Sequence, residues 1–142
     1  LAPALDTAAP AVGVTKNQEQ NMTEKTLTTP DQLRAFTGSA FVYRHRLVRK
    51  IVYTEGVSYV AMAGGAHWLI DEIAFNQANP TVAAEGFQVW RLVVAADRTA
   101  TLRCGDGNDR VVFKKALDYT DFPLDEICLY LIHNTILLPS EY

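Results

Sequence analysis

Residues 87–119 read FQVWRLVVAADRTATLRCGDGNDRVVFKKALDY, and apolar and polar residues alternate through much of this stretch. Ala100, Leu102 and Cys104 fall on one face of an extended chain, and the residues between them are polar. Such alternation is typical of a strand with one solvated side. Residues 105–109 (GDGND) favour a hairpin turn, and they lack the further spaced ligands of a calcium loop. We therefore predict three antiparallel strands joined by two short polar turns.

Patterns outside this stretch predict shorter elements. We expect helices at residues 30–37, 54–63 and 66–77, and strands at residues 41–46, 50–53, 126–132 and 135–138. Two alternatives stay open: a hairpin turning at residues 55–56, and a helix over residues 124–133. Helix 66–77 is apolar around nearly its whole circumference, so we expect it to be buried. The fold class is α+β, with short helices mostly in the N-terminal half packed on a C-terminal antiparallel β-sheet.

The first 21 residues differ from the rest of the chain. Residues 1–14 are mostly Ala, Pro, Val and Thr without helical or strand periodicity. The sequence from Met22 onward resembles an ordinary bacterial N-terminus. We expect residues 1–21 to be a disordered leader that is not native, either upstream reading frame or cloning remnant, and residues 22–142 to form one domain. A mature secreted protein trimmed after a signal peptide would also lack an initiator Met.

Composition disfavours several classes of protein. The net charge of −3 argues against a dedicated nucleic-acid binder, and no apolar run approaches the roughly 20 residues needed to span a bilayer. The two cysteines, Cys104 and Cys128, each lie in an apolar strand-like setting and not in a C-x-x-C pair. We expect free thiols in a reducing cytoplasm, no cofactor and no membrane association.

Four segments carry a likeness to known sequences: residues 66–74 (AHWLIDEIA), 87–92 (FQVWRL), 120–124 (TDFPL) and 137–142 (LLPSEY). From about residue 29 to residue 142 the chain resembles an uncharacterised family of small bacterial proteins carried on plasmids and other mobile elements. That family has no assigned activity. The resemblance implies a domain that starts after the leader and a bacterial, mobile-element origin, and it transfers no function.

His67 and Asp71 are four residues apart in predicted helix 66–77, so a helix places both on one face. That spacing could present two ligands to a metal ion, with Glu72 or His133 as the third. It also fits a carboxylate that orients an imidazole as a general base. We favour the simpler interpretation that Asp71 pairs with a half-buried His67 for structural reasons. His67, Asp71 and Glu72 are therefore the candidate catalytic residues, and we predict no bound metal.

The basic residues that cluster in residues 44–50 (RHRLVRK) are Arg44, Arg46, Arg49 and Lys50. Basic residues flanked by tyrosines can hold phosphates and stack bases. Two other interpretations rank above nucleic acid: protection of a strand edge, and pairing with an acidic stretch within or between subunits. The acidic residues of that stretch are Asp118, Asp121, Asp125 and Glu126.

Two strands, residues 87–94 and 127–132, are apolar on both faces and need cover from helices or from another subunit. We therefore predict a non-enzymatic module that forms a two-fold homodimer and binds a small molecule or a protein partner. Trp90 is the predicted interface anchor, and Arg46 and Asp121 are predicted to set the register of the interface. The alternatives are a small enzyme that uses the helix site and a nucleic-acid-linked protein that uses the basic cluster.

Overall fold

The computed structural model describes residues 26–38, 41–108 and 110–142, and the predicted leader lies outside them. The helices are α1 (Asp31–Arg34), α2 (Glu55–Ala63), α3 (His67–Phe75) and α4 (Pro80–Ala83). The strands are β1 (Val42–Arg44), β2 (Val52–Thr54), β3 (Phe87–Val94), β4 (Ala100–Gly105), β5 (Val111–Leu117), β6 (Glu126–Ile132) and β7 (Thr135–Leu137). A 3₁₀ turn follows α3 at Asn76–Ala78, and another lies at Pro139–Glu141.

The seven strands form one sheet in the order β1-β2-β7-β6-β3-β4-β5. All neighbours are antiparallel except β2 and β7, which run parallel. The α+β class is confirmed, and helices lie mainly before the C-terminal strands. The sheet is mixed rather than wholly antiparallel, because the tight β6–β7 hairpin lays β7 beside β2 from the N-terminal half.

The three predicted strands of residues 87–119 are β3, β4 and β5, and they form the expected meander. Ala100, Leu102 and Cys104 are all buried, as the alternation predicts. On the other side of β3 lies β6, whose hairpin to β7 turns at His133 and Asn134 with φ of 51° and 61°. Two consecutive residues with positive φ are typical of the type I′ turn that suits a hairpin. The alternative helix over residues 124–133 is therefore wrong.

The predicted second helix is confirmed as α2. Thr54 Oγ1 accepts a hydrogen bond from the Val57 N–H at 3.3 Å, so Thr54 caps the helix, and the alternative hairpin is wrong. In α3, Leu69, Ile70 and Ile73 are buried, whereas the Phe75 ring is 47% exposed. The expectation that this helix is buried all round is wrong, since one side faces solvent.

Two further helices differ from the prediction. α1 has only four residues, fewer than the eight expected. α4 begins where a break was predicted: Asn79 Oδ1 accepts from the Thr81 N–H at 3.0 Å, and Pro80 occupies the first helical position. A four-residue helix is too short to show a periodic pattern. The longest helices, α2 and α3, have nine residues each, and no helix in the described residues could cross a bilayer.

A polar network lies inside the core where β3 meets the segment after α3. The side-chain amides of Gln77 and Gln88 form reciprocal hydrogen bonds of 2.9 Å, and Trp90 Nε1 donates to Gln88 Oε1 at 2.9 Å. Gln88 also donates to the Val82 carbonyl at 2.9 Å. Every polar atom of Gln88 is therefore paired, which makes its burial tolerable.

The C-terminal residues are fastened to the start of α2. The Glu141 carboxylate accepts from Thr54 Oγ1 at 2.6 Å, from the Gly56 N–H at 3.3 Å and from the Leu138 N–H at 2.9 Å. A carboxylate at a helix N-terminus satisfies unpaired N–H groups and complements the helix dipole. The next residue, Tyr142, donates its N–H to the Pro139 carbonyl at 3.2 Å and contacts the rings of Phe87 and Tyr130.

Candidate functional site

Asp71 pairs with a histidine other than the one expected. Its Oδ1 lies 2.7 Å from His45 Nε2, and within the described residues no hydrogen bond joins it to His67. His45 directly follows β1, and its ring meets the Phe75 ring edge-on at 5.6 Å. Asp71 does pair with a histidine, as predicted, but that histidine is 26 residues earlier in the chain.

His45 is 4% exposed, and both of its ring nitrogens are engaged. Nδ1 accepts from the N–H groups of Leu47 at 3.1 Å and Val48 at 2.9 Å. A nitrogen that accepts from backbone N–H groups carries no proton, so we assign the proton to Nε2, which donates it to Asp71. His45 thus organises the loop between β1 and β2, and it offers no free nitrogen for acid–base chemistry.

The three candidate catalytic residues do not converge. His67 is exposed and, with Asp71, lines a groove of about 300 Å³ beside His45. Glu72 points elsewhere, pairing with Lys115 of β5 and accepting from Asn76 Nδ2 at 3.3 Å. No group of three potential metal ligands occurs among the described residues, and His133 lies in the β6–β7 turn.

Hydrogen bonds to its own backbone and to His45 fix the conformation of the basic cluster of residues 44–50. Arg44 donates to the Arg49 carbonyl, and the Ile51 N–H donates to the Val48 carbonyl at 3.0 Å. None of the four predicted acidic partners forms an ion pair with this cluster in the part of the chain that the structure describes. The predicted pairing within one subunit is therefore wrong.

The three predicted interface residues lie in different places. Trp90 is 1% exposed in the core of a single chain, so its side chain cannot anchor a partner and that prediction is wrong. Arg46 is exposed in the loop after β1, at one edge of the sheet. Asp121 is exposed in the connection between β5 and β6, where it lines a groove with Trp68 of α3.

A cluster that the sequence did not reveal lies on the outer face of β3, β4 and β5. Arg91 of β3 is directly opposite Arg103 of β4, which is directly opposite Lys114 of β5. Because directly paired residues share one face of a sheet, the three cations form a row across the face that points away from Leu92 and Leu102. We call Arg91, Arg103 and Lys114 the basic row.

The charges of the basic row are partly balanced. Arg91 pairs with Glu126, and this hydrogen bond is the main reason that the pKa of Arg91 rises above its ordinary value. Arg103 and Lys114 are exposed and form no ion pair with the described residues. Two adjacent positive charges therefore remain available on this face.

The β4–β5 turn forms one wall beside the basic row. Asp106 Oδ1 accepts from the N–H groups of Asn108 at 2.7 Å and Arg110 at 3.3 Å, which confirms a hairpin turn here. A side chain at Gly105 would place a Cβ 2.7 Å from the Arg110 carbonyl oxygen, so the tight closure requires glycine. The turn and strands enclose a groove of about 300 Å³, lined by Val89, Arg91, Arg103, Gly105, Gly107, Arg110 and Val111. Arg110 itself pairs with Glu85 at 2.6 Å.

Three aromatic rings lie on the same face, further along β3. Phe87 is two residues before Val89, and Val89 is directly opposite Tyr130 of β6. The ring centroids of Phe87 and Tyr130 are 4.9 Å apart, and that of Tyr142 lies 5.6 Å and 5.7 Å from them. Tyr142 is 74% exposed. We call these three residues the aromatic cluster.

Sequence reasoning missed the basic row because its members are more than ten residues apart. Each one is an ordinary polar position in an alternating strand, and only the register brings them together. The usable signal is the tight 105–109 turn. That turn predicts the β4–β5 hairpin, but a register shift between Cys104 and Gly105 is what places Arg103 opposite Lys114 on the solvated face.

A family model described as Family of unknown function (DUF6876) matches residues 27–142. The chain belongs to this family. No curated protein and no solved structure matches the chain. The matched range is close to that of the resemblance found in the sequence, and it contains both the groove beside His45 and the basic row. Family membership assigns no activity to either.

Proposed function

We propose that this protein is a non-enzymatic binding module that holds an anionic ligand on the outer face of β3, β4 and β5. The observation that carries the proposal is the basic row, in which three cations are nearest neighbours across three strands. Arginine guanidinium groups bind phosphate and carboxylate groups through two parallel hydrogen bonds, so Arg103 with Lys114 beside it suits such a ligand.

The energetic cost of the basic row supports a binding role. Like charges directly opposite each other destabilise a sheet, and an interaction between two exposed charges is worth at most about 1 kcal/mol. Arg91 is offset by Glu126, but the contact between Arg103 and Lys114 has no such compensation among the described residues. A feature that weakens the fold and is relieved by a bound anion is characteristic of a binding site.

The geometry around His45 argues against the alternative of a small enzyme. Its imidazole nitrogens are both engaged, and His67, Asp71 and Glu72 do not face a common point. Elemental analysis of protein purified without chelator gives an independent check. A stoichiometric transition metal would reinstate the metal site at His67 and Asp71.

Thermal unfolding tests the proposed anion site. Inorganic polyphosphate should raise the Tm of the wild type above its value in sodium chloride of equal ionic strength, because a ligand that binds only the folded state stabilises it. The double variant Arg103→Gln/Lys114→Gln should unfold a few degrees higher without ligand, since about 0.5–1 kcal/mol of repulsion is removed. It should also lose most of the response to polyphosphate. An undiminished response would refute the proposal.

We further propose that the protein forms a two-fold homodimer, here through β1. Among the described residues this strand is an edge of the sheet, all its residues are exposed, and Phe41 and Val42 are 66% and 56% exposed. Antiparallel pairing of β1 with its copy would satisfy the unpaired backbone groups in a closed arrangement. Arg46 follows this strand closely, and the proposal does not depend on its pairing with Asp121, which lies in the connection between β5 and β6.

Light scattering after size exclusion tests the dimer. Val42→Lys should produce a monomer, because it places a charge within the proposed interface. Val111→Lys, at an equally exposed position on the opposite edge strand β5, is the matched control and should leave the mass unchanged. A monomeric wild type would refute the proposal. A cytoplasmic location and a bacterial, mobile-element origin stay predictions.

A further inference from the structure

We infer that the ligand of the outer sheet face is a single-stranded nucleic acid, an inference that rests on the proposed anion-binding function. Two features of the sheet lead to it: the basic row and the aromatic cluster lie on the same face, and both include a residue of β3. Proteins that bind single strands combine a positive surface that follows the phosphates with aromatic rings on which bases stack.

The aromatic cluster leaves one ring available for stacking. Phe87 and Tyr130 are half-buried against each other, whereas Tyr142 contacts both through one side and is largely exposed. Its position is set by Glu141, which is bonded to the start of α2. The exposed ring is therefore held in place before any ligand arrives, which lowers the entropic cost of binding.

The two parts of the face are close enough for one short strand. Phe87 and Arg91 are four residues apart on β3, which is about 13 Å in an extended chain, and the basic row spans about 10 Å across three strands. Between them lie Val89 and the β4–β5 turn, where Gly107 approaches Val89 and Phe87. The rings and the cations thus border one continuous surface.

Charge on this face is carried mainly by the two cations without ion pairs, Arg103 and Lys114. Glu126 and Glu85 already bind Arg91 and Arg110, so a polyanion must compete with them there. We therefore expect moderate affinity with a clear salt dependence. The logarithm of the association constant falls linearly with the logarithm of the salt concentration. Neutralising both unpaired cations should make this slope less steep by about 1.4, since each phosphate contact to a single strand contributes about 0.7.

The exposed ring favours nucleic acid over an acidic protein segment, because a base has an aromatic face that stacks on tyrosine and a glutamate side chain does not. This inference departs from the expectation against nucleic acid drawn from the sequence. That expectation was based on the overall net charge and on residues 44–50. The basic row lies outside residues 44–50, and the overall net charge does not reveal it.

Fluorescence anisotropy with a labelled 15-nucleotide oligo-dT, and separately oligo-U, tests the inference at several salt concentrations. Inorganic polyphosphate and poly-L-glutamate serve as competitors. The binding variants are Arg103→Gln/Lys114→Gln and Tyr142→Ala, and Tyr142→Phe keeps the ring. The matched control is Arg46→Gln/Lys50→Gln, which removes the same charge from an exposed loop at the other end of the sheet. Thermal unfolding of each variant verifies that it folds.

The expected result is binding of the oligonucleotides that weakens at least tenfold in the Arg103/Lys114 variant and by less than about threefold in the loop control. Tyr142→Ala should weaken oligonucleotide binding about tenfold, as the loss of one stacked base predicts, and should leave the affinity for polyphosphate unchanged. Tyr142→Phe should stay within about twofold of the wild type.

Other results overturn the inference in distinguishable ways. If polyphosphate competes and Tyr142→Ala binds oligonucleotide as well as the wild type does, the anion site stands and the nucleic-acid inference falls. Stronger competition by poly-L-glutamate than by polyphosphate would indicate an acidic protein partner instead. If only the loop control lost oligonucleotide binding, the binding site would lie at residues 44–50. No binding of any polyanion would refute both the inference and the proposed function.

Discussion

Replacing His45 by alanine should be among the most destabilising changes in the N-terminal half. The imidazole accepts from two backbone N–H groups, those of Leu47 and Val48, and donates to Asp71. Leaving these two partly buried N–H groups without an acceptor costs about 1 kcal/mol each. The bond to Asp71, which is half-exposed, adds about 0.5 kcal/mol after solvent screening. Lost packing against Phe75 adds about 1 kcal/mol.

The expected decrease in the free energy of unfolding is therefore about 3.5 kcal/mol, a large part of the 5–15 kcal/mol typical of a domain. Urea unfolding followed by tryptophan fluorescence measures it as a shift of about 2 M in the midpoint. His67→Ala is the matched control and should change stability by less than about 0.5 kcal/mol, because His67 is exposed.

A second variant separates the hydrogen bonds from the packing. In His45→Asn the side-chain oxygen can replace Nδ1 as acceptor for the N–H groups two and three residues ahead, as asparagine does in ordinary turns. His45→Asn should therefore recover about half of the loss. Equal losses for His45→Ala and His67→Ala would refute the assignment of Asp71 to His45. An asparagine variant no better than alanine would refute the role of Nδ1.

Three other changes have expected outcomes. Gln88→Leu should lower the free energy of unfolding by about 3 kcal/mol in denaturant titrations, because Trp90 Nε1 and the Gln77 amide lose their partners in the core. Burial raises the pKa of the Cys104 thiol from 9.0 to about 12. The contribution of this thiol to the free energy of unfolding is therefore complete below pH 9 and is lost as the pH rises towards 12. At pH 8 a thiol reagent should label Cys128 before Cys104. Removing residues 1–21 should leave the Tm unchanged, and a loss of several degrees would show that the segment docks on the fold.

The local patterns of the sequence determined most of the secondary structure. Alternation sufficed for β4 because Ala100, Leu102 and Cys104 are buried and the residues between them are not, which imposes a period of two. Thr54 marked the start of α2 because its hydroxyl can satisfy an N–H group of the first turn. The 105–109 turn was visible because glycine and aspartate are the residues that such a turn demands.

Only the tertiary structure decided which side chains meet. Helix periodicity placed His67 and Asp71 on one face, but hydrogen-bond geometry and burial selected His45, which no local pattern connects to α3. Trp90 was expected at an interface because it is large and aromatic, and the same properties make it a good core residue once Gln88 satisfies its N–H. The basic row exists only in the register of three strands, since cross-strand neighbours depend on pairing between segments and not on their spacing along the chain.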